Sequence, residues 1–120
     1  MKSLATMNKL IKDEKVGVLY SPGYGAGWYS WNTELPEVLF DPKLVDLVEK
    51  LDTVRYREVQ FERIIRLMED YVDKTYPDLF IGGMSELQVK WIPQGTKFRI
   101  DEYDGAESVI LQDEDDWITA

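Results

Sequence analysis

The sequence predicts an α+β fold in which two helices pack on one face of an antiparallel-dominated sheet. Three observations lead to this prediction: an apolar strand near residues 15–21, helical apolar spacing over about 42–51 and 54–75, and two-residue alternation within 86–119. Strands and helices are thus segregated along the chain instead of alternating. That order is typical of α+β proteins.

The strands are read from alternation and from turn residues. "KVGVLYS" forms the first strand and ends before Pro22. In the back part of the chain, "LQVKWIP", "GTKFRIDEY", "SVILQD" and "WIT" form a meander. Asp104-Gly105 separates two of these strands, and Asp-Gly between alternating strands is a strong hairpin indicator. The prediction is therefore a sheet that contains the first strand and the meander.

The first predicted helix has a clear beginning. Asp41 is the N-cap candidate, and Pro42 occupies the first helical position, where its missing N–H costs nothing. The apolar face of this helix consists of Leu44, Leu47, Val48 and Leu51.

The second predicted helix runs over about 54–75. Its apolar stripe consists of Val59, Ile64, Ile65, Met68, Tyr71 and Val72. A third, short helix over 3–13 is expected as part of an N-terminal extension covering 1–13, within a single domain of 1–120.

The composition narrows the chemistry. The chain has no His and no Cys, which excludes Ser-His-Asp and Cys-His nucleophiles, thiolate or imidazole zinc sites and a disulfide framework. We therefore expect no catalytic residues, no cofactor and no metal, and predict a protein that is not an enzyme.

The net charge of −9 is unevenly distributed, with −7 in residues 77–120. Binding of a nucleic-acid backbone needs a basic surface, so direct nucleic-acid binding is not expected. No apolar run approaches the roughly 20 residues of a membrane span, and the N-terminus does not have the pattern of a signal peptide. We expect a cytoplasmic protein without membrane contact.

The segment "LYSPGYGAGWYSWN", residues 19–32, combines spaced glycines with large aromatic rings, and we call it the Gly-aromatic loop. It lacks the Gly-Lys-Ser/Thr of a Walker loop, but glycine-rich loops after strands can cradle anions, and aromatic rings can stack on planar ligands. The predicted ligand-binding residues are Ser21, Gly23, Tyr24, Gly25, Gly27, Trp28, Trp31, Asn32, Arg99 and Tyr103.

Packing is the equally weighted alternative for this loop. The glycines would let it cross the sheet near the strand 98–103, with at least one of Trp28 and Trp31 mostly buried because burial of an indole is strongly favourable. The structure can distinguish between ligand binding and packing as the role of this loop.

Acidic residues gather in "FRIDEYDGAES", residues 98–108. Arg99 is expected to pair with Asp101 or with a carboxylate on the next strand, and Glu102 to point toward the core with Phe98. An enzyme with a divalent-metal site at Glu102, Asp104 and Glu107 is the least favoured hypothesis. The "DEDD" run at 113–116 is predicted to be a solvated turn.

Three stretches carry a resemblance: "VGVLYSPGYGAGWYSWN", "YPDLFIGG", and "IPQGTKFRIDEYDGAESV" with "DDWITA". Together they resemble a family of short, mostly uncharacterised tailed-bacteriophage proteins with an SPGYGAGWYSW-type loop and a GTKFRIDEYDGAES-type hairpin. The resemblance covers residues 16–32 and 76–120. It implies a phage accessory protein acting in a bacterial cytoplasm, as counter-defence or host-modulating proteins do.

Two hypotheses follow. The first is a non-enzymatic binding protein that captures a small nucleotide-like or anionic ligand through the Gly-aromatic loop, within a homo-oligomer if its pocket lies between subunits. The second is an acidic protein–protein inhibitor, including a nucleic-acid mimic, of a host enzyme or defence protein.

Overall fold

The computed structural model describes residues 9–23 and 27–112, and it confirms the α+β class. Its helices are α1 (Pro42–Asp52) and α2 (Glu58–Thr75). Its strands are β1 (Ile11–Lys12), β2 (Lys15–Tyr20), β3 (Gln88–Pro93), β4 (Phe98–Tyr103) and β5 (Ala106–Leu111). Short 3-10 turns lie at Tyr29–Trp31, Pro36–Leu39 and Met84–Glu86.

Strand β2 is the centre of the fold. It pairs antiparallel with β1 on one side and with β3 on the other, where Val16 lies opposite Ile92 and Leu19 opposite Val89. Val16, Val18 and Leu19 are all buried, so both faces of the strand are covered. A strand that is covered on both faces needs an apolar run, which "VGVL" provides.

The helices cover one face of this sheet, as the sequence predicts. Asp41 caps α1, because its carboxylate accepts the N–H of Leu44 at 3.1 Å. Gly17 lets α1 approach closely: a Cβ there would lie 2.9 Å from Cγ1 of Val45. Helix α2 packs against α1 and contributes Met68 to the same core.

The β4–β5 hairpin covers the opposite face. Val109 and Leu111 pack in a second core cluster with Val16, Val18 and Phe40. The hairpin turn uses Asp104 and Gly105, whose φ angles are 49° and 86°, as the Asp-Gly pattern predicts.

The predicted single sheet containing the meander is wrong in one respect. In the described part of the chain, β3 pairs with β2, whereas β4 and β5 pair only with each other in a separate sheet. The two-sided burial of β2 explains the division, since the hairpin must lie across the second apolar face to cover it. The predicted "WIT" strand lies outside the described residues.

The N-terminal expectation also changes. Residues 1–8 lie outside the described part, and the remainder of the predicted 3–13 helix is β1 and a turn at Asp13-Glu14. Pairing of Ile11 with Val16 satisfies backbone groups that a helix would have satisfied locally. Helix α2 begins at Glu58, not at 54, because residues 53–57 form a turn.

Neither α1 nor α2, the α-helices of the described residues, is long and apolar enough to cross a membrane.

Candidate functional site

The Gly-aromatic loop packs onto the protein through Trp28. This indole is fully buried, and its Nε1 donates to the carbonyl oxygen of Val38 at 2.9 Å. The prediction that at least one of Trp28 and Trp31 is buried is therefore confirmed. Gly27 is buried too, and a Cβ there would lie 2.6 Å from the Trp31 ring, so the tight path of the chain needs a glycine.

Asn32 clamps the end of this loop to the segment before β3. Its side-chain amide donates to the carbonyl of Phe80 at 3.0 Å, and its oxygen accepts the Phe80 N–H at 2.9 Å. The Trp31 ring stacks on the Phe80 ring with centroids 4.8 Å apart. The side-chain amide of Asn32 is thus hydrogen-bonded within the protein, while Trp31 keeps 47% of its surface exposed.

A buried carboxylate holds the beginning of the loop. Glu107 of β5 is only 2% exposed, and its Oε1 accepts the backbone N–H of Ser21 at 2.9 Å. Its Oε2 accepts the backbone N–H of Ser30 at 2.8 Å and the Ser30 hydroxyl at 2.7 Å. The backbone N–H of Glu107 also donates to the Ser21 carbonyl at 2.8 Å. We call these four hydrogen bonds the Glu107 latch.

The latch changes the interpretation of the loop. Backbone N–H groups of the loop were expected to donate to an anionic ligand. Those of Ser21 and Ser30 instead donate to the Glu107 carboxylate of the same chain. Gly23 lies against the Glu86 carboxylate, so it too faces negative charge. Tyr24 and Gly25 lie outside the described residues. The loop is therefore organised around an anion that the protein itself supplies.

A cleft lies between the two sheets, with a volume of about 650 Å³. Its lining includes Tyr29 from the loop, Arg99, and side chains from both sheets. The described apolar side chains of the lining are Val16, Leu39, Phe40, Ile92, Pro93, Phe98 and Ile100. We call this space the cationic cleft, because Lys9, Lys97 and Arg99 also line it.

The charge of this cleft is opposite to that of the whole protein. None of the described residues that line it is Asp or Glu, although the chain carries −9. The Nζ of Lys9 lies 4.7 Å from the centroid of the Phe40 ring, at a distance where the ring attracts the cation. Arg99 is paired with Asp101 through a 2.9 Å contact, as predicted, and both side chains are about half exposed. Such exposed pairs are weak, contributing about 0–1 kcal/mol.

The cleft contains only part of the predicted site. Arg99 lines it, whereas Tyr103 is 73% exposed beside the hairpin turn and is not among its lining residues. Lys9, Lys97 and Phe98 were not among the site residues predicted from the sequence. Lys97 and Phe98 lie beside Arg99 in the sequence, so their alternation of charged and apolar side chains was the available indication.

The acidic residues of the hairpin, all within the described part of the chain, are not gathered into a cluster of potential metal ligands. Glu102 lies directly opposite the buried Glu107, on the same face of the hairpin as Phe98, as expected. It is exposed at the end of β4, where its Oε1 accepts the Gly105 N–H at 2.6 Å. Glu107 is committed to the latch. Within residues 9–23 and 27–112, no group of three or more potential ligands could hold a metal. The "DEDD" run at 113–116 lies outside these ranges.

A second buried carboxylate joins the helices. Asp41, which is 5% exposed, accepts the hydroxyl of Tyr71 at 2.7 Å and also the hydroxyl of Tyr76. Burial and then the hydrogen bond to Asp41 raise the pKa of Tyr71 from 10.0 to about 12, and the same causes raise the pKa of Tyr76. This cluster ties the C-terminal end of α2 to the beginning of α1.

The fold and the cleft together define an α+β protein with a cation-lined apolar cleft between two sheets. In comparisons with known proteins, no family model matches the chain, and no curated protein or solved structure matches it. The resemblance to tailed-bacteriophage proteins therefore stays a prediction.

Proposed function

We propose that this protein is a non-enzymatic binding protein that captures a small anionic ligand in the cationic cleft. The observation that carries the proposal is the sign of the charge there. Lys9, Lys97 and Arg99 line the cleft and no described lining residue is acidic, although the net charge is −9. An anion is repelled by the protein as a whole, so it binds where local positive potential exceeds that field.

The shape of the cleft supports the same function. Small-molecule sites are concave, mostly apolar and about 300–1,000 Å³ in volume, with a few polar groups that fix orientation. The cleft, at about 650 Å³, has an apolar lining with cations placed on it. This proposal retains the binding hypothesis from the sequence but moves the ligand from the Gly-aromatic loop to the cleft. Arg99 is the predicted site residue that lines the cleft, and Tyr29 lines it from the same loop.

Thermal unfolding with a panel of anions tests the proposal. The panel contains inorganic phosphate, nucleoside mono- and triphosphates, cyclic dinucleotides, the alkyl carboxylate decanoate and an anilinonaphthalene sulfonate. A ligand at a hundredfold its Kd adds about 2.7 kcal/mol of stability, which raises Tm by several degrees. The double variant Lys97→Gln/Arg99→Gln should lose the shift, and Lys43→Gln, on exposed α1 surface, should keep it. If no anion raises Tm, or if the double variant responds as the wild type does, the proposal is wrong.

The biological role that we propose is counter-defence or host modulation by a phage protein in a bacterial cytoplasm. It is supported by the resemblance of residues 16–32 and 76–120 to tailed-bacteriophage proteins. Capture of a small anionic host signal would give the cleft this role. Phage plating efficiency on hosts with different defence systems, with wild type or the Lys97→Gln/Arg99→Gln variant expressed, tests it. Equal plating with both proteins on every host would contradict it.

The second candidate is an acidic inhibitor of a host protein, and a surface patch favours it. The stacked Trp31 and Phe80 rings and Ile81 are 47%, 44% and 37% exposed. Exposed aromatic rings are typical anchors of protein interfaces, and the net charge favours a basic partner.

A pull-down from bacterial lysate at low and high salt tests this candidate, with Trp31→Ala as the patch variant. A partner that is retained by wild type at low salt and lost with Trp31→Ala or at high salt supports it. Light scattering of the purified protein tests the predicted homo-oligomer.

A further inference from the structure

We propose that the ligand of the cationic cleft is a single-chain amphipathic anion, with an alkyl or acyl body and one anionic head group. This inference rests on the proposed function and names its ligand class. It excludes a nucleotide as the preferred ligand, although a nucleotide is also a small anion.

The lining offers little to a nucleotide base or sugar. Among the described lining residues, the uncharged polar side chains are Thr96 and Tyr29. A base and a ribose carry many donors and acceptors, and each one buried without a partner weakens binding about 5- to 150-fold. An alkyl chain carries none and loses nothing in such surroundings.

Apolar and charged groups are also separated within the cleft, as they are in an amphiphile. Val16 of β2 and Ile92 of β3 are only 5% and 3% exposed. The apolar floor of the cleft, to which they belong, is therefore part of the buried face of the β1–β2–β3 sheet. Lys97 and Arg99 are exposed, so the cations lie toward solvent. A ligand that follows this gradient places its apolar body on the floor and its charge at the mouth.

The volume sets the length of the chain. A water molecule occupies about 30 Å³ of the liquid, so the 650 Å³ cleft has room for about 20 non-hydrogen atoms. The cleft is partly open to solvent, and the bound chain is therefore shorter than this limit. Saturated carboxylates of 8, 10 and 12 carbons span the useful range.

Calorimetric titration with this series, below the micelle concentration of each compound, tests the inference. Burial of one methylene contributes about 0.8 kcal/mol, so Kd should fall about fourfold per added CH₂. Lys97→Gln and Arg99→Gln should each weaken carboxylate binding about two- to fivefold. The neutral alcohol of the same length should bind more weakly and should not respond to these substitutions. Lys43→Gln is the matched control and should bind as the wild type does.

Amide chemical shifts locate the binding and separate the outcomes. Perturbations confined to residues near Gly95–Ile100 and Tyr29 support the inference. A Kd that does not depend on chain length, equal binding of the alcohol, or unchanged binding in both Gln variants overturns it. If nucleotides bind with a Lys97 dependence and alkyl carboxylates do not, the ligand class is wrong while the proposed function stands. If neither class depends on Lys97 or Arg99, both fail.

Discussion

Replacing Glu107 with alanine removes the carboxylate of the latch but keeps the β4–β5 backbone. The substitution deletes the acceptor of the Ser21 N–H, the Ser30 N–H and the Ser30 hydroxyl. The hydrogen bond from the Glu107 N–H to the Ser21 carbonyl stays in place, since it belongs to the main chain. The perturbation is thus limited to three hydrogen bonds with a charged acceptor.

Burial determines the magnitude. A hydrogen bond to a charged group contributes about 1.5–3 kcal/mol, and a buried donor left without a partner costs about 1–3 kcal/mol. Ser21 is fully buried, whereas Ser30 is partly exposed and can bind water instead. We therefore expect Glu107→Ala to lower the free energy of unfolding by about 3–5 kcal/mol. Glu107→Gln keeps one acceptor oxygen but places an NH₂ group against a donor, and should cost about 1.5–3 kcal/mol.

Urea unfolding with linear extrapolation measures these differences. Glu102→Ala is the matched control, because Glu102 lies directly opposite Glu107 in the register but is exposed and accepts a single backbone N–H, that of Gly105. It should change stability by less than about 1 kcal/mol, because water can replace its carboxylate. If Glu107→Ala costs no more than Glu102→Ala, the latch does not stabilise the loop and our reasoning about it fails.

Trp28→Ala should cost about 3–5 kcal/mol because it empties a fully buried site, whereas Trp31→Ala should cost only about 0.5–1.5 kcal/mol from the lost stacking; similar losses in urea unfolding would contradict this. The pKa of Tyr71 is raised to about 12 in the folded protein, so stability present below pH 10 should be lost as the pH rises from 10 to 12. Tyr71→Phe, which cannot donate to Asp41, should show a smaller loss in that window, and an unchanged pH profile would refute the assignment. Gly17→Ala should cost about 1–3 kcal/mol by crowding α1, and an unchanged Tm would contradict this.

Local patterns in the sequence predicted most of the secondary structure. The Asp41 cap and the apolar spacing located α1, and Asp104-Gly105 located the β4–β5 turn. These features act within a few residues and are therefore readable from the chain. The division into two sheets was not predicted, because alternation shows which residues face inward but does not show which strands pair.

The site was less predictable because its parts are distant in sequence. From the sequence, Glu107 was interpreted as a carboxylate of the hairpin turn. Its role as a hydrogen-bond acceptor depends on Ser21 and Ser30, which lie 86 and 77 residues earlier in the chain. The cleft combines Lys9, Tyr29 and the segment 92–100, which only the tertiary structure brings together. Arg99 was predicted because it is the basic residue of the acidic segment 98–108, which the sequence itself shows.

The central position of β2 has a consequence for the order in which the chain assembles. Its partner β3 begins at Gln88. Tyr20 therefore cannot form its pair until a residue 68 positions later in the chain has been synthesised. The antiparallel α1–α2 pair is local and can form first, whereas closing the long loop between β2 and β3 is slow because of its entropic cost. During synthesis the edge of β2 that pairs with β3 therefore stays unpaired until nearly three-quarters of this chain has emerged, and an unpaired apolar strand in this interval exposes the nascent protein to aggregation.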